Sequence, residues 1–318
     1  MKGRTWFKRY GYVLMALGAI SLAFLLLPVV NFEEESNTIL ETMDGDLLSA
    51  RITSDGQWRF PPCDSVPHKL GQSIRYFEDE YFYYHPGINP AALGKALVRN
   101  FRAGRIVSGG STLSMQVVRL SRKGKPRTLG QKIIEMVLAL RLELARSKED
   151  ILGLYASYAP FGGNVVGIDA AAWRYYGRPA HQLSWGEAAT LAVLPNAPAL
   201  IYPGRNTEEL RAKRNRLLQK LEEKGVIDPM GAELARDEPM PLKPYPLPQL
   251  TPHLLDRAEK DGLQGTRVRS TVDKDLQERV TLLVDRHHQQ LKQNEIHNAA
   301  VLVIRVPERQ VVAYAGNT

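Results

Sequence analysis

Residues 11–30, GYVLMALGAISLAFLLLPVV, carry no charge and are overwhelmingly apolar. As a helix such a segment is about long enough to cross roughly 30 Å of hydrocarbon, which constrains everything around it. Lys2, Arg4, Lys8 and Arg9 precede it, and Glu33, Glu34 and Glu35 follow. That asymmetry predicts a cytoplasmic N-terminus, residues 1–9, and export of everything after Asn31. A cleaved signal peptide is the competing reading. Its apolar region is usually shorter, and no convincing small-residue cleavage site precedes Asn31.

The 318 residues suffice for one large or two modest domains with an ample core. A formal net charge of +8 suits an anionic membrane or nucleic acid. No nucleic-acid fingerprint accompanies it, and aromatic residues do not alternate with the cations, so nucleic acid is not an expected partner. The lone Cys63 can form no internal disulfide and reads as a structural thiol.

In residues 37–60 two turn signals, Asp44-Gly45 and Asp55-Gly56, lie among strand-like runs, which predicts a small β hairpin within 31–65. From about Val66 the pattern turns helical, predicting a domain over 66–239. Ser147-x-x-Asp150 and Ser184-x-x-Glu187 read as capping boxes, and Asn206 or Thr207 as the cap of a third helix. Residues 240–252, MPLKPYPLPQLTP, form a Pro-rich linker. Residues 253–318 read as a strand, an amphipathic helix and a hairpin, a small α+β fragment. The predicted fold class is mainly α, behind one N-terminal anchor at 10–30.

Between Asn89 and Ile134 there is no Asp or Glu, yet ten cations run from Lys95 to Lys132. Glu78-Asp79 precede this run, Glu135 follows it, and GGSTLSMQ (109–116) lies at its centre. Such a stretch points to a phosphate-bearing substrate handled by carboxylate chemistry; a solvated basic surface is the plainer alternative. The double glycine permits close approach of backbone to ligand, and Ser111 is a good cap for a helix whose positive end would meet an anion. On that helix Thr112, Gln116 and Arg119 would form a polar face beside an apolar stripe of Leu113, Val117 and Leu120. Lys132 and Glu135 sit three apart on the next helix, either as a salt bridge or as a pair serving a ligand. Ile133, Ile134, Val137 and Leu138 would bury its other faces. His287-His288 point to different helix faces and have no ligand cluster, so no metal site is expected.

Residues 78–87, EDEYFYYHPG, fit E-D-x-x-F-x-x-H-x-G at every fixed position. With GGSTLSMQ and Lys132-x-x-Glu135 following in order, they resemble the family 51 peptidoglycan glycosyltransferases. These are the glycan-polymerising modules of class A penicillin-binding proteins and of monofunctional transglycosylases. The resemblance runs from about Val66 to about Asn206. Phe161-Gly162-Gly163 and the Pro-rich segment are most similar to the 1C branch of the class A proteins.

The resemblance implies a lysozyme-like helical domain with a mobile basic segment. It implies an inverting reaction that joins lipid II units into linear glycan and releases undecaprenyl pyrophosphate. Glu78 would be the base that takes the proton of the attacking sugar hydroxyl, with Asp79 beside it in the motif. Phe82, four residues on, would share its helix face and fix it by packing; His85 would hydrogen-bond across a turn or touch substrate. Ser111, Thr112, Gln116 and Arg119 would contact substrate, Arg119 standing where many relatives have Lys. Lys132 would hold the pyrophosphate, with Glu135 orienting the cation or assisting departure. Gln131 stands where the family has Arg, leaving Arg122 or Arg127 to replace that cation. Residues 151–155, ILGLY, resemble the family's I-L-x-x-Y-L-N, with Ala156-Ser157 departing from it; the block reads as scaffold and Tyr155 as a core anchor.

The resemblance requires no cofactor, although some relatives use a divalent cation, Mg or Mn, to bridge substrate phosphates. The partners it implies are lipid II, the growing lipid-linked glycan, the membrane and other cell-wall synthesis proteins. It implies a single-pass protein of the bacterial inner membrane with a periplasmic catalytic domain. Leu97, Val98, Phe101, Ile106 and Val107 would dip among lipid headgroups. Neither Ser-x-x-Lys nor Lys-Thr-Gly occurs, so crosslinking is not expected of these residues. Two rivals stay open: a lysozyme-like or lytic enzyme that cuts glycan, and an inactive membrane scaffold, motivated by Gln131 and Ala156-Ser157.

Overall fold

The computed structural model describes residues 2–63, 65–105, 109–123, 125, 128–196, 205–241 and 243–316; Ile106, Val107 and Arg127 lie outside them. In chain order the elements are α1 (Lys2–Leu25), β1 (Thr38–Thr42), β2 (Leu47–Arg51), β3 (Trp58–Arg59), α2 (His68–Glu78), α3 (Pro90–Ala103), α4 (Leu113–Ser121) and α5 (Leu129–Ala145). They continue with α6 (Lys148–Tyr158), β4 (Val165–Val166), α7 (Ile168–Tyr176), α8 (Trp185–Val193), α9 (Thr207–Glu223) and α10 (Pro229–Asp237). The last are α11 (Pro252–Lys260), β5 (Arg267–Ser270), α12 (Lys274–Leu291), β6 (Val301–Arg305) and β7 (Gln310–Ala315). The fold is mainly helical with small sheets.

The first helix differs from the expected 10–30. It ends at Leu25, because Pro28 has no N–H to offer and steers the residue before it out of the helical region. Among the described residues no helix is long and apolar enough to cross a membrane. Leu14, Leu17, Ile20 and Leu22 on α1 are all more than half exposed.

The chain divides into two compact units, Met1–Glu33 with Tyr81–Leu152, and Glu34–Glu80 with Gly153–Thr318. In the first, α4 packs on α5 through Leu113, Met115, Val117, Val118, Ala139 and Leu142, all fully buried. Burying each of the Leu, Val and Met side chains contributes roughly 1.5–3 kcal/mol. Asn89 caps α3 by accepting from the Ala92 N–H, Pro90 opens it, and Gly104 ends it in the left-handed region. Only Ala96 of α3 is buried. The capping box expected at Ser147 and Asp150 is present, each side chain accepting the other's backbone N–H at 3.1 Å.

In the second unit α2 lays Leu70 and Ile74 on the alanine-rich α8, which also packs on α9. The Ser184–Glu187 capping box opens α8 as expected. A Cβ at Gly186 would fall 2.6 Å from the Ala235 carbonyl, so only glycine lets α10 approach. At α9 the expectation fails in part. Asn206 holds the cap position in a left-handed conformation, but its side chain makes no capping bond to the helix.

The Asp44-Gly45 hairpin forms as β1 and β2, antiparallel. Asp55-Gly56 instead leads into β3, which pairs in parallel with β4. The other edge of β1 takes β5, also in parallel, giving the order β2-β1-β5. Leu40, Leu48, Leu255 and Val272 form the core beneath this sheet. Farther on, α12 covers the β6–β7 hairpin through Val280, Val284 and Ala313.

Candidate active site

Glu78 is the last residue of α2 and lies in the second unit. It stands one helical turn beyond the buried Ile74, and its Oε1 accepts a hydrogen bond from the Tyr155 hydroxyl at 3.3 Å. Tyr155 is fully buried on α6. Burial pushes its phenol well above the ordinary range, and the Glu78 carboxylate adds to the shift, so the hydroxyl keeps its proton and donates it. The sequence marks Tyr155 only as a core anchor; the bond to Glu78 adds a second role. Asp79, buried, is the cap residue that ends α2, its N–H donating to the Arg75 carbonyl at 2.8 Å.

Phe82 does not share a helix with Glu78. It opens a separate short 3-10 turn, Phe82–Tyr84, and belongs to the first unit, where it is fully buried. The helical i,i+4 relation fails because the helix ends at Glu78 and Asp79 takes an extended φ of −157°. His85 is buried beside Phe82, the ring centroids 6.5 Å apart. Its Nδ1 accepts from the Gly87 N–H at 3.2 Å, a bond across the Pro86 turn.

The GGSTLSMQ segment builds the N-terminus of α4. Thr112 caps that helix, correcting the expectation for Ser111: its Oγ1 accepts from the Met115 N–H at 3.2 Å and donates to the Gly87 carbonyl at 2.6 Å. Thr112 is therefore buried rather than part of an open polar face; Gln116 and Arg119 remain half-buried. Gly110 takes φ +55°, and a Cβ there would come within 3.1 Å of the Ala92 carbonyl, so the turn runs tightly against α3. Ser111 accepts from an Arg119 N–H at 3.2 Å.

The expected Lys132–Glu135 pair is replaced by a longer-range one. Glu135 accepts two parallel bonds from Arg119, 2.9 Å from Nε and 2.7 Å from the terminal nitrogen, while Lys132 donates to the Gly109 carbonyl. The packing of α4 on α5 brings Arg119 to Glu135 and sends Lys132 toward the glycine turn. Gln131 accepts from Arg122 at 3.2 Å, so of the two arginines expected to replace a cation at this position Arg122 contacts it, while Arg127 lies outside the described residues. Ile133, Ile134 and Val137, expected to be buried, are exposed, because the row of α5 facing inward is Glu135, Ala139 and Leu142. On α3, Leu97, Val98 and Phe101 are exposed as well, Phe101 by 89%.

The first unit thus gathers Phe82, His85, Ser111, Thr112, Gln116, Arg119, Lys132 and Glu135; Glu78 and Asp79 belong to the second. In chemical terms the first set offers cations held in place by a carboxylate and a carbonyl, and the second a carboxylate with a phenol donor. A family model described as Transglycosylase matches residues 44–222, more than half of the chain. The chain belongs to the transglycosylase family.

Among its relatives, the transglycosylase chain is 37% identical to penicillin-binding protein 1C of Escherichia coli over 92% of its own length and 38% of that protein's. It is 38% identical to penicillin-binding protein 1A of Aquifex aeolicus, covering 57% of the chain and 25% of the relative. Against penicillin-binding protein 1A of Pseudomonas aeruginosa the identity is 34%, over 74% and 30%. The chain therefore spans well under half the length of these relatives.

Proposed function

We propose that this transglycosylase chain is a peptidoglycan glycosyltransferase that polymerises lipid II into linear glycan and releases undecaprenyl pyrophosphate. The observation that carries the reading is the Arg119–Glu135 fork beside Lys132, in a chain of the transglycosylase family. A guanidinium whose forked edge is fixed by a carboxylate and a hydroxyl is pre-organised, and it holds a permanent positive charge where a diphosphate oxygen would develop its own. Glu78 takes the proton of the acceptor's 4-hydroxyl as that oxygen attacks the donor's anomeric carbon with inversion. The bond from that carbon to the diphosphate oxygen breaks, and the negative charge leaving with the diphosphate falls to Arg119 and Lys132. Tyr155 orients the Glu78 carboxylate through its hydroxyl.

Among the described residues no group of three or more His, Cys, Asp and Glu could hold a metal.

The same reading gives the domain a membrane setting. Residues 10–30 anchor the chain with the N-terminus cytoplasmic and the catalytic part periplasmic. The exposed Leu97, Val98 and Phe101 then meet the bilayer surface among arginines.

The test is polymerisation of labelled lipid II by the purified chain. Wild type should give lysozyme-sensitive polymer, and Glu78→Gln should lower the rate by about 10²–10⁴-fold, the usual worth of a general base. Equal rates would remove Glu78 from that role. Soluble fragments released from finished peptidoglycan would point to glycan cleavage instead.

A further inference from the structure

Beneath the turn at residues 85–87 lies an ion pair that the mechanism above does not use. Glu143, in the last turn of α5, and Lys148, which opens α6, meet at 2.7 Å with side chains only 7% and 19% exposed. The Lys148 ammonium also donates to the His85 carbonyl at 2.7 Å and lies 4.4 Å from the centre of the Phe82 ring. Glu143 accepts in addition from the Ser114 hydroxyl on α4.

The turn held in this way is tight. Gly87 takes φ +96°, and a Cβ there would fall 2.8 Å from the Ala139 carbonyl and 3.0 Å from Glu143 Cγ. On its other side the Gly87 carbonyl accepts from Thr112, the cap of α4. One nearly buried pair therefore ties the His85–Gly87 turn and the N-terminal turn of α4 to the end of α5. Arg119 and Gln116 ride on that same helix.

A buried ion pair is a weak source of net stability, since desolvation offsets most of its attraction. What it supplies here is direction, because one ammonium satisfies a carboxylate, a carbonyl and a ring face at once. We propose that Glu143 and Lys148 are positioning residues for glycosyl transfer. They fix the turn against α4 so that Gln116 and Arg119 meet the substrate diphosphate in register. The inference rests on the function proposed above and deepens it.

The experiment pairs lipid II kinetics with amide hydrogen exchange across α4, on the full chain. Lys148→Met, which keeps the stem and removes the donors, should lower kcat per folded molecule by about 10- to 100-fold with KM little changed. It should also speed exchange at Met115 and Gln116, whose N–H groups bond to the Thr112 hydroxyl and carbonyl. Lys148→Arg keeps charge and donors and should recover most of kcat; a space-filling role would rank Met above Arg. Should Lys148→Met not fold, Glu143→Gln replaces it, keeping volume and an acceptor for Ser114 while losing the charge. Unchanged kcat per folded molecule with unchanged exchange overturns the inference. If wild type itself makes no polymer, the proposed function falls, and exchange then decides alone: faster at Met115 and Gln116 supports positioning, unchanged refutes it.

Discussion

Gly87 shows how much a single backbone position carries in the first unit. Its φ of +96° is one that side-chain-bearing residues rarely adopt, and the Ala139 carbonyl occupies the space a Cβ would need. Gly87→Ala should therefore cost about 1–3 kcal/mol, read as a lower urea midpoint with unchanged slope. It should also slow polymerisation, because the Thr112 bond to the Gly87 carbonyl would shift. At this scale the sequence motif marked Gly87, Thr112, Arg119 and Glu135 individually but paired Glu135 with the wrong cation. Helical spacing offers only Lys132 as a near neighbour, whereas the true partner comes from another helix. Glu143 and Lys148 belong to no motif that was recognised, and nothing short of the folded contacts joins them to Ser114 and His85.

Among the elements, β1 and β5 are held by an ionic relay as well as by their backbone ladder. Arg267 on β5 bridges Glu41 on β1 at 2.5 Å and Asp169 on α7 at 2.6 Å. Burial raises the Glu41 carboxyl above its ordinary value even though Arg267 opposes the shift. Arg267→Met strands two carboxylates, one almost fully buried, and should cost about 3–5 kcal/mol at neutral pH. The sign of the pH dependence follows from the raised value. Folded Glu41 binds its proton at higher pH than the unfolded chain does, so acidification favours the folded form at this group. The deficit of Arg267→Met relative to wild type should therefore shrink in mildly acid buffer, as denaturation midpoints at the two pH values would show. A deficit that grows on acidification would contradict this account. Helix starts were legible here because capping is a local matter, settled by a hydroxyl and an N–H three residues apart. The β1–β5 ladder was not, since nothing local to either strand specifies a parallel partner.

Across the whole molecule, the second unit draws on residues from both sides of the helical domain. Leu40 and Leu48 pack on Leu255 and Val272, so the hairpin beyond the apolar N-terminal segment is completed by chain following the Pro-rich segment. Removing residues 252–318 should expose that core and the free edge of β1. Limited proteolysis should then cut within residues 38–51 well before α8, and a β1–β2 segment as resistant as in wild type would rule out the dependence. The sequence suggested two separate pieces here, because a linker-like run of prolines looks the same whether or not its flanks come together.

That pairing also sets a clock on biosynthesis. Gly265 bonds the Thr38 side chain across 227 residues of chain. At about 5–20 residues per second, β1 leaves the ribosome roughly ten to fifty seconds before its parallel neighbour exists. For that interval its outer hydrogen-bonding groups are an open template for any passing strand. Until then the nascent protein is open to misassociation through its first strand, and that hazard closes when β5 arrives.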